Sequence, residues 1–445
     1  MIEIINIFIQ FFIFLIIFSF PLNINFTQKK IFKGITISFY DTLSINILIH
    51  LNLFLIISFF NIDTEKYFVL LLILGFFYTI LNIRNYIKKN KFDAQYILSI
   101  FVFFIICTSL FFDISENLKL EWDALNHWIY KTSSFYNGHS IQNLENARFS
   151  EYPHLGTYIW AFFWKNSLLD IEYFGRLFYC FIYVCSIFSL INYILPVKNF
   201  FLNLLVSLSI IILTYDIFLF SGYQEYLIFS SLAIFTRIFL EFQKLKKINL
   251  ILFYFFIIFS QAVIWFKDEA LFYYIIIALV VILSSTIKYK HKIVTTILVF
   301  LFPFTQFIIQ KYIVGTYGFQ ADIIHSSLLE LLDPKIFFIK ILLISKYIFI
   351  SFIKYKIWFL NLISLLIIFI IDKKLFTFLK PWVAILILNF ILIYAIYLHT
   401  PYNLEFLLKV TLDRLLFQTS AVYLVFPLYL FRKLILANKL SNRFI

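Results

Sequence analysis

The chain has 445 residues, 62% of them hydrophobic and 14% charged, with a formal net charge of +13. A mean hydropathy of +0.93 excludes an ordinary soluble domain, and apolar runs of membrane-crossing length recur from end to end. No Gly-, Ser- or Pro-rich linker and no internal repeat divides the chain, so it reads as one polytopic unit.

A hydrocarbon core of about 30 Å needs roughly 20 residues of helix. Without water to satisfy backbone groups, such runs form helices rather than open sheet. In chain order the expected spans are Ile4–Phe20, Ile35–Phe60, Tyr67–Ile83, Tyr96–Phe112, Phe174–Leu195, Phe200–Leu219 and Tyr226–Phe242. Then come Leu250–Phe266, Ala270–Ile287, Ile293–Ile313, Trp358–Ile371, Trp382–Leu398 and Leu415–Phe431. The expectation is an all-α membrane protein of about thirteen helices in three parts. Residues 1–112 form N-terminal spans, 113–165 an early loop with a re-entry helix, and 166–445 the main bundle. The apolar N-terminus lacks a basic leader and reads as a retained span. Ile336–Phe352, interrupted or flanked by Lys340, Lys346 and Lys354, reads as an amphipathic helix on the membrane surface. Cys107, Cys180 and Cys185 fall inside apolar runs and read as small hydrophobes, with no disulfide or metal spacing.

Basic clusters recur at every second connection: Lys29-Lys30, Lys88-Lys89, Lys244 with Lys246-Lys247, Lys288 to Lys292, Lys373-Lys374 and Arg432-Lys433. Cytoplasmic loops carry the excess of Lys and Arg, which puts these inside, the N-terminus outside and the long loop outside. Most carboxylates then lie outside. Acidic residues steer insertion little, so their one-sided placement points to a functional outer face.

Five polar motifs fall on that face. Glu121-Trp122-Asp123 through His127-Trp128 opens the loop; on a regular helix Asp123 and His127 would share one side. Such a pair suits a general base or two ligands to a divalent cation, or is a solvated loop with tryptophan anchors. Tyr152-Pro153-His154 makes a stiff re-entry, because proline fixes its own backbone and restrains its neighbour; by itself the motif reads first as a helix-start proline, and as a phosphate or sugar-hydroxyl contact through His154 second. Ser221 to Glu225 forms a short turn that ends on a carboxylate at membrane depth, where ionisable groups are costly. Lys267-Asp268-Glu269 is a wholly charged turn. Asp413-Arg414 stands before the last span, where Arg414 is either a snorkelling anchor or a planar fork for phosphate.

The order of these motifs resembles the GT-C superfamily of integral-membrane glycosyltransferases. Its nearest likeness is to bacterial members related to protein O-mannosyltransferases and lipid A aminoarabinose transferases. Glu121-Trp122-Asp123 through Trp128 looks like the family's early acidic "W-D-x-x-x-x-W" context. Tyr152-Pro153 resembles its Tyr-Pro re-entry, Gly222 to Glu225 its "G-Y-x-D/E" turn, Lys267 to Glu269 its "K-x-E-G" turn, and Arg414 its late arginine. The likeness runs from Glu121 to Pro427. It departs at Ala270, where relatives carry glycine, and in having Asp123 rather than an adjacent acidic pair.

The resemblance implies an inverting transferase in the cytoplasmic (inner) membrane, with its active site facing away from the cytoplasm. A polyprenyl-phosphate-linked sugar would be the donor, and a glycan, lipid or protein of the envelope the acceptor. Asp123 would be the base. Arg414 and Lys267 would bind the donor phosphate. Glu121, His127, Tyr152, His154, Glu225, Asp268 and Glu269 would line or support the substrate site. A divalent cation at Asp123 and His127 is an open expectation, and a nucleic-acid partner is not expected. Two other classes compete. A lipid-linked polysaccharide polymerase or ligase tends to carry its large loop late and rich in arginine. A transporter or flippase would show charged residues at mid-span and helices broken by Gly or Pro; here Arg237 and His50 are the main candidates.

Overall fold

A computed structural model describes residues 2–23, 37–89, 94–146, 150, 152–195, 200–244, 253–254, 257–258, 260–283, 287–314, 333–400 and 403–441. Every regular element among them is helical. The first four helices are α1 (Ile2–Ile17), α2 (Phe39–Ser58), α3 (Thr64–Lys89) and α4 (Ala94–Glu116). The early loop holds a π-helical turn (Ala124–Trp128), α5 (Ile129–Tyr136), a 3-10 turn (Ile141–Asn146) and α6 (Leu155–Lys165). The bundle continues through α7 (Tyr173–Ile194), α8 (Phe200–Thr214), α9 (Ile217–Phe220), α10 (Glu225–Lys244), a 3-10 turn (Gln261–Trp265), α11 (Ala270–Leu283) and α12 (Tyr289–Tyr312). It closes with α13 (Pro334–Lys354), α14 (Ile357–Ile371), α15 (Lys373–Leu398), α16 (Leu404–Tyr423) and α17 (Val425–Ser441).

Eight helical stretches among the described residues are long and apolar enough to cross a membrane, with α16 and the start of α17 making one of them. The chain is therefore a multi-pass helical membrane protein. Seven of the eight coincide with expected spans, and the eighth is α13. Ile2–Ile17, Phe201–Thr214 and Ile357–Ile371 are apolar but shorter. The expected span Phe200–Leu219 stops at Thr214, and Asp216 caps a new short helix by accepting from the Phe218 N–H. Part of the expected span Leu250–Phe266, and the Lys29-Lys30 and Lys246-Lys247 clusters, lie outside the described residues.

Helix α13 runs in the same direction as α16. Tyr347 bonds Glu405, Ser351 bonds Asp413, and the Trp358 indole donates to the Leu416 carbonyl, so positions along both partners ascend together. Helices α13 and α14 both pack beside α16, and α14 also beside α17. The lysines that suggest a surface helix sit where they can leave the apolar face: Lys354 reaches Asp413 at 2.7 Å, and Lys346 lies over the Tyr347 ring. Charged heads on long stems need not remove a helix from lipid.

The core is built around α2, α7 and α10, whose residues are mostly buried. Asp41 and Ser38 cap α2 reciprocally. The same Asp41 carboxylate takes two bonds from Arg237 of α10, at 2.8 and 3.1 Å, and one from Ser189 of α7 at 2.7 Å. Arg237 also reaches Glu241 at 3.3 Å and stacks on Tyr193 at 3.6 Å. The N-terminal helices are thus joined to the main bundle through a buried ion cluster. Breaking such a cluster from one side costs about 3–5 kcal/mol, whereas replacing all its charges is often neutral. Arg237→Leu is therefore expected to lower the melting temperature sharply in detergent. Arg237→Leu with Asp41→Asn and Glu241→Gln is expected to recover most of that loss. The other in-span candidate, His50, bonds the Asn46 carbonyl through Nδ1 at 2.8 Å and packs among Phe18, Phe20 and Phe54. The three cysteines are free and buried, in line with their reading as hydrophobes.

Candidate functional site

Four separate stretches of chain meet at the Glu225 end of α10. Glu225 is the first residue of that helix, where the unpaired N–H groups favour a carboxylate. Its side chain is fully buried. Oε1 accepts from Arg414 Nε at 2.6 Å and from Lys267 Nζ at 3.0 Å. Arg414 Nη2 in turn donates to Asp123 Oδ2, and the guanidinium lies over the Tyr223 ring at 4.3 Å from its centre. Lys267 lies 3.7 Å from Glu269, which is half-exposed. Two cations are thus matched by two carboxylates, with a third at the rim. Two cations on one oxygen offset the cost of burying Glu225, which alone would be prohibitive.

The local sequence explains each position. After α4 the chain runs extended to Glu121, whose N–H donates to the Ser221 carbonyl at 3.1 Å. This ties the start of the acidic motif to the Ser221–Glu225 turn. Gly222 adopts φ +94°, and a Cβ there would stand 2.5 Å from the Ala124 Cβ and 2.9 Å from the Trp160 ring. The turn can lie against the Asp123 helix only because residue 222 is glycine. Gly222→Ala is expected to cost at least about 1–3 kcal/mol from its backbone alone, with more from the overlap, and a thermal melt in detergent checks it. Arg176 of α7 braces the same turn. It holds Glu172 at 2.8 and 3.0 Å and donates Nη1 to the Phe220 carbonyl at 3.0 Å.

The helix that carries the acidic motif is not regular. The helix after Asp123 is π-wound from Ala124 to Trp128, with the Ile129 N–H donating to the Ala124 carbonyl. His127 packs with Trp122, Trp128 and Tyr152, at centroid distances of 5.3, 6.0 and 5.3 Å, while Asp123 faces Arg414. No group of three or more His, Cys, Asp or Glu side chains that could hold a metal ion converges among the described residues.

His154 is not a ligand-facing group. It is buried against Phe59, Phe135 and Trp265, and Nε2 meets the Ser58 hydroxyl at 2.8 Å. Because Ser58 donates to the Leu55 carbonyl, the imidazole supplies the proton between them. Burial, then the Lys131 charge, lower its pKa to about 3, so it stays neutral and has no pull on phosphate. Lys131 is itself buried and donates to the Tyr152 carbonyl at 2.6 Å, fixing the Tyr-Pro re-entry.

The remaining candidates lie at the margin. Glu121 pairs with exposed Lys119 at 3.1 Å, away from Arg414. Asp268 is exposed on its turn, and half-buried Tyr152 sits behind the aromatic cluster of His127 and Trp128. Arg414 lies well inside α16 rather than before a span that starts at Leu415. Its neighbour Asp413 bonds Lys354 and Ser351 of α13, and Asp216 accepts from Tyr355 at 2.8 Å. The junction of α13 and α14 is thereby clipped beside the site. Tyr223, Arg176 and Glu172 are not among the residues that the sequence motifs assign a role. For the last two, a Glu and an Arg four residues apart at a helix start are a usable signal.

Fold and site together define a multi-pass helical membrane protein with a charge-balanced cluster, partly open to solvent, at one end of its bundle. No family model matches the chain, and neither a curated protein nor a solved structure matches it.

Proposed function

We propose that the chain is an inverting glycosyltransferase of the GT-C kind, moving a sugar from a polyprenyl-phosphate donor to an acceptor hydroxyl on the far side of the cytoplasmic membrane. The observation that carries this reading is the Asp123–Arg414–Glu225–Lys267 chain of contacts. It joins a carboxylate at the solvent edge to two cations held by a buried acid, at the end of the bundle that carries the early polar loop. A base and an anion-binding fork side by side are what displacement of a phosphate requires.

In this reading Asp123 takes the proton of the acceptor hydroxyl as its oxygen bonds to the anomeric carbon. The bond from that carbon to the phosphate oxygen breaks, and its electron pair leaves on the lipid phosphate. Arg414 and Lys267 stabilise the growing charge. The products are the glycosylated acceptor, the free polyprenyl phosphate and a proton on Asp123, which passes to water. Glu225 reaches no sugar from its buried position and acts by positioning both cations. Glu269, at the rim, is placed to meet the sugar. The reading is tested by transfer of label from a radiolabelled polyprenyl-phosphate sugar, with Asp123→Asn as the comparison; transfer at the wild-type rate by that variant would remove Asp123 as the base.

A further inference from the structure

The two groups that the reaction needs are bound to each other. Arg414 offers its Nε edge to Glu225 and its Nη2 to Asp123, so the phosphate-binding fork and the base neutralise one another. The carboxylate oxygen that accepts from the guanidinium is taken up by that bond, and a guanidinium that holds a carboxylate has fewer N–H groups to give a phosphate. We propose that the donor phosphate exchanges with Asp123 on Arg414, so that donor binding is the event that frees the base. This inference rests on the reading of the cluster as a phosphate site.

The two carboxylates on Arg414 differ in how easily they leave. Glu225 is fully buried, lies at a helix N-terminus and is shared with Lys267. Displacing it would strand a buried charge, at a cost of several kcal/mol. Asp123 keeps 16% of its side-chain surface exposed, and Arg414 is the cation it pairs with. Water can receive Asp123 as it leaves, and an incoming anion reaches Arg414 from the same open side. The guanidinium itself need not move. Its Nε edge stays on Glu225 and its face stays on Tyr223, leaving the Nη edge to take two phosphate oxygens. The consequence is ordered chemistry: without donor, Asp123 is held and no acceptor hydroxyl is activated.

Binding to the purified full chain in phosphatidylcholine nanodiscs tests the exchange, at fixed salt and pH. A C55 prenyl monophosphate is the probe in one arm and inorganic phosphate in the other. Asp123→Asn and Asp123→Ala, which remove the competing anion, are expected to bind the probe about tenfold more tightly than wild type, and Arg414→Ala to lose it. Thermal melts of each variant confirm folding. Equal affinity in wild type and both Asp123 variants, with binding lost only in Arg414→Ala, would overturn the exchange and leave the phosphate site standing. No binding by wild type or by either Asp123 variant would overturn both. The expected pattern with inorganic phosphate but not the prenyl phosphate would support the exchange and assign the ligand to a soluble phosphate.

Discussion

Glu225→Ala is expected to destabilise the protein by about 3–5 kcal/mol, because it leaves two buried cations without their shared carboxylate. The effect is larger than for an ordinary ion pair, since Glu225 Oε1 accepts from both Arg414 and Lys267. Asp123 reaches Arg414 but not Lys267, so Lys267 would keep only the half-exposed Glu269 at 3.7 Å. Adding Lys267→Met to Glu225→Ala removes one stranded charge and is expected to restore part of the lost stability. The measurement is the unfolding midpoint in a single detergent, with wild type, single and double variants side by side. A midpoint for Glu225→Ala within about a degree of wild type would show that the carboxylate does not hold the cations, since a loss of that size shifts the midpoint by several degrees.

Asp123→Asn is expected to leave the fold intact and to cut the transfer rate by about 100- to 10,000-fold, the usual contribution of a general base. The two effects separate because Asp123 sits at the solvent edge and contributes little to the buried core. Asparagine keeps the shape and an oxygen for Arg414 but has no basic group to take a proton. Donor consumption at saturating acceptor gives the rate, and an unchanged melting curve gives the control. Since the same substitution is expected to strengthen binding of the lipid phosphate, a slow variant that binds its donor more tightly separates loss of the base from loss of the site.

Much of this architecture is legible in the amino-acid sequence. Repeated apolar runs force a helical membrane protein, because lipid leaves the backbone no partner but itself. The partnership of Asp123 with Arg414, 291 residues apart, follows from placing polar motifs on one face. What the sequence conceals has physical causes. A sequence pattern assumes 3.6 residues per turn, and does not announce the π-winding from Ala124 to Trp128. The burial of His154 depends on Phe59, Phe135 and Trp265 arriving from three distant stretches, which no local pattern announces. Arg237 stands out as a charge inside an apolar run, but its partner Asp41 lies 196 residues away.

Transfer of a sugar from a lipid phosphate by the Asp123–Arg414–Glu225–Lys267 cluster is tested most directly by reconstitution. The purified protein in nanodiscs is incubated with radiolabelled polyprenyl-phosphate sugars and envelope acceptors, and both the label and the released lipid phosphate are followed. The expected result is label on an acceptor with one lipid phosphate released per sugar moved, abolished in a folded Arg414→Ala variant. Transfer that continues undiminished in that variant would contradict the proposed chemistry.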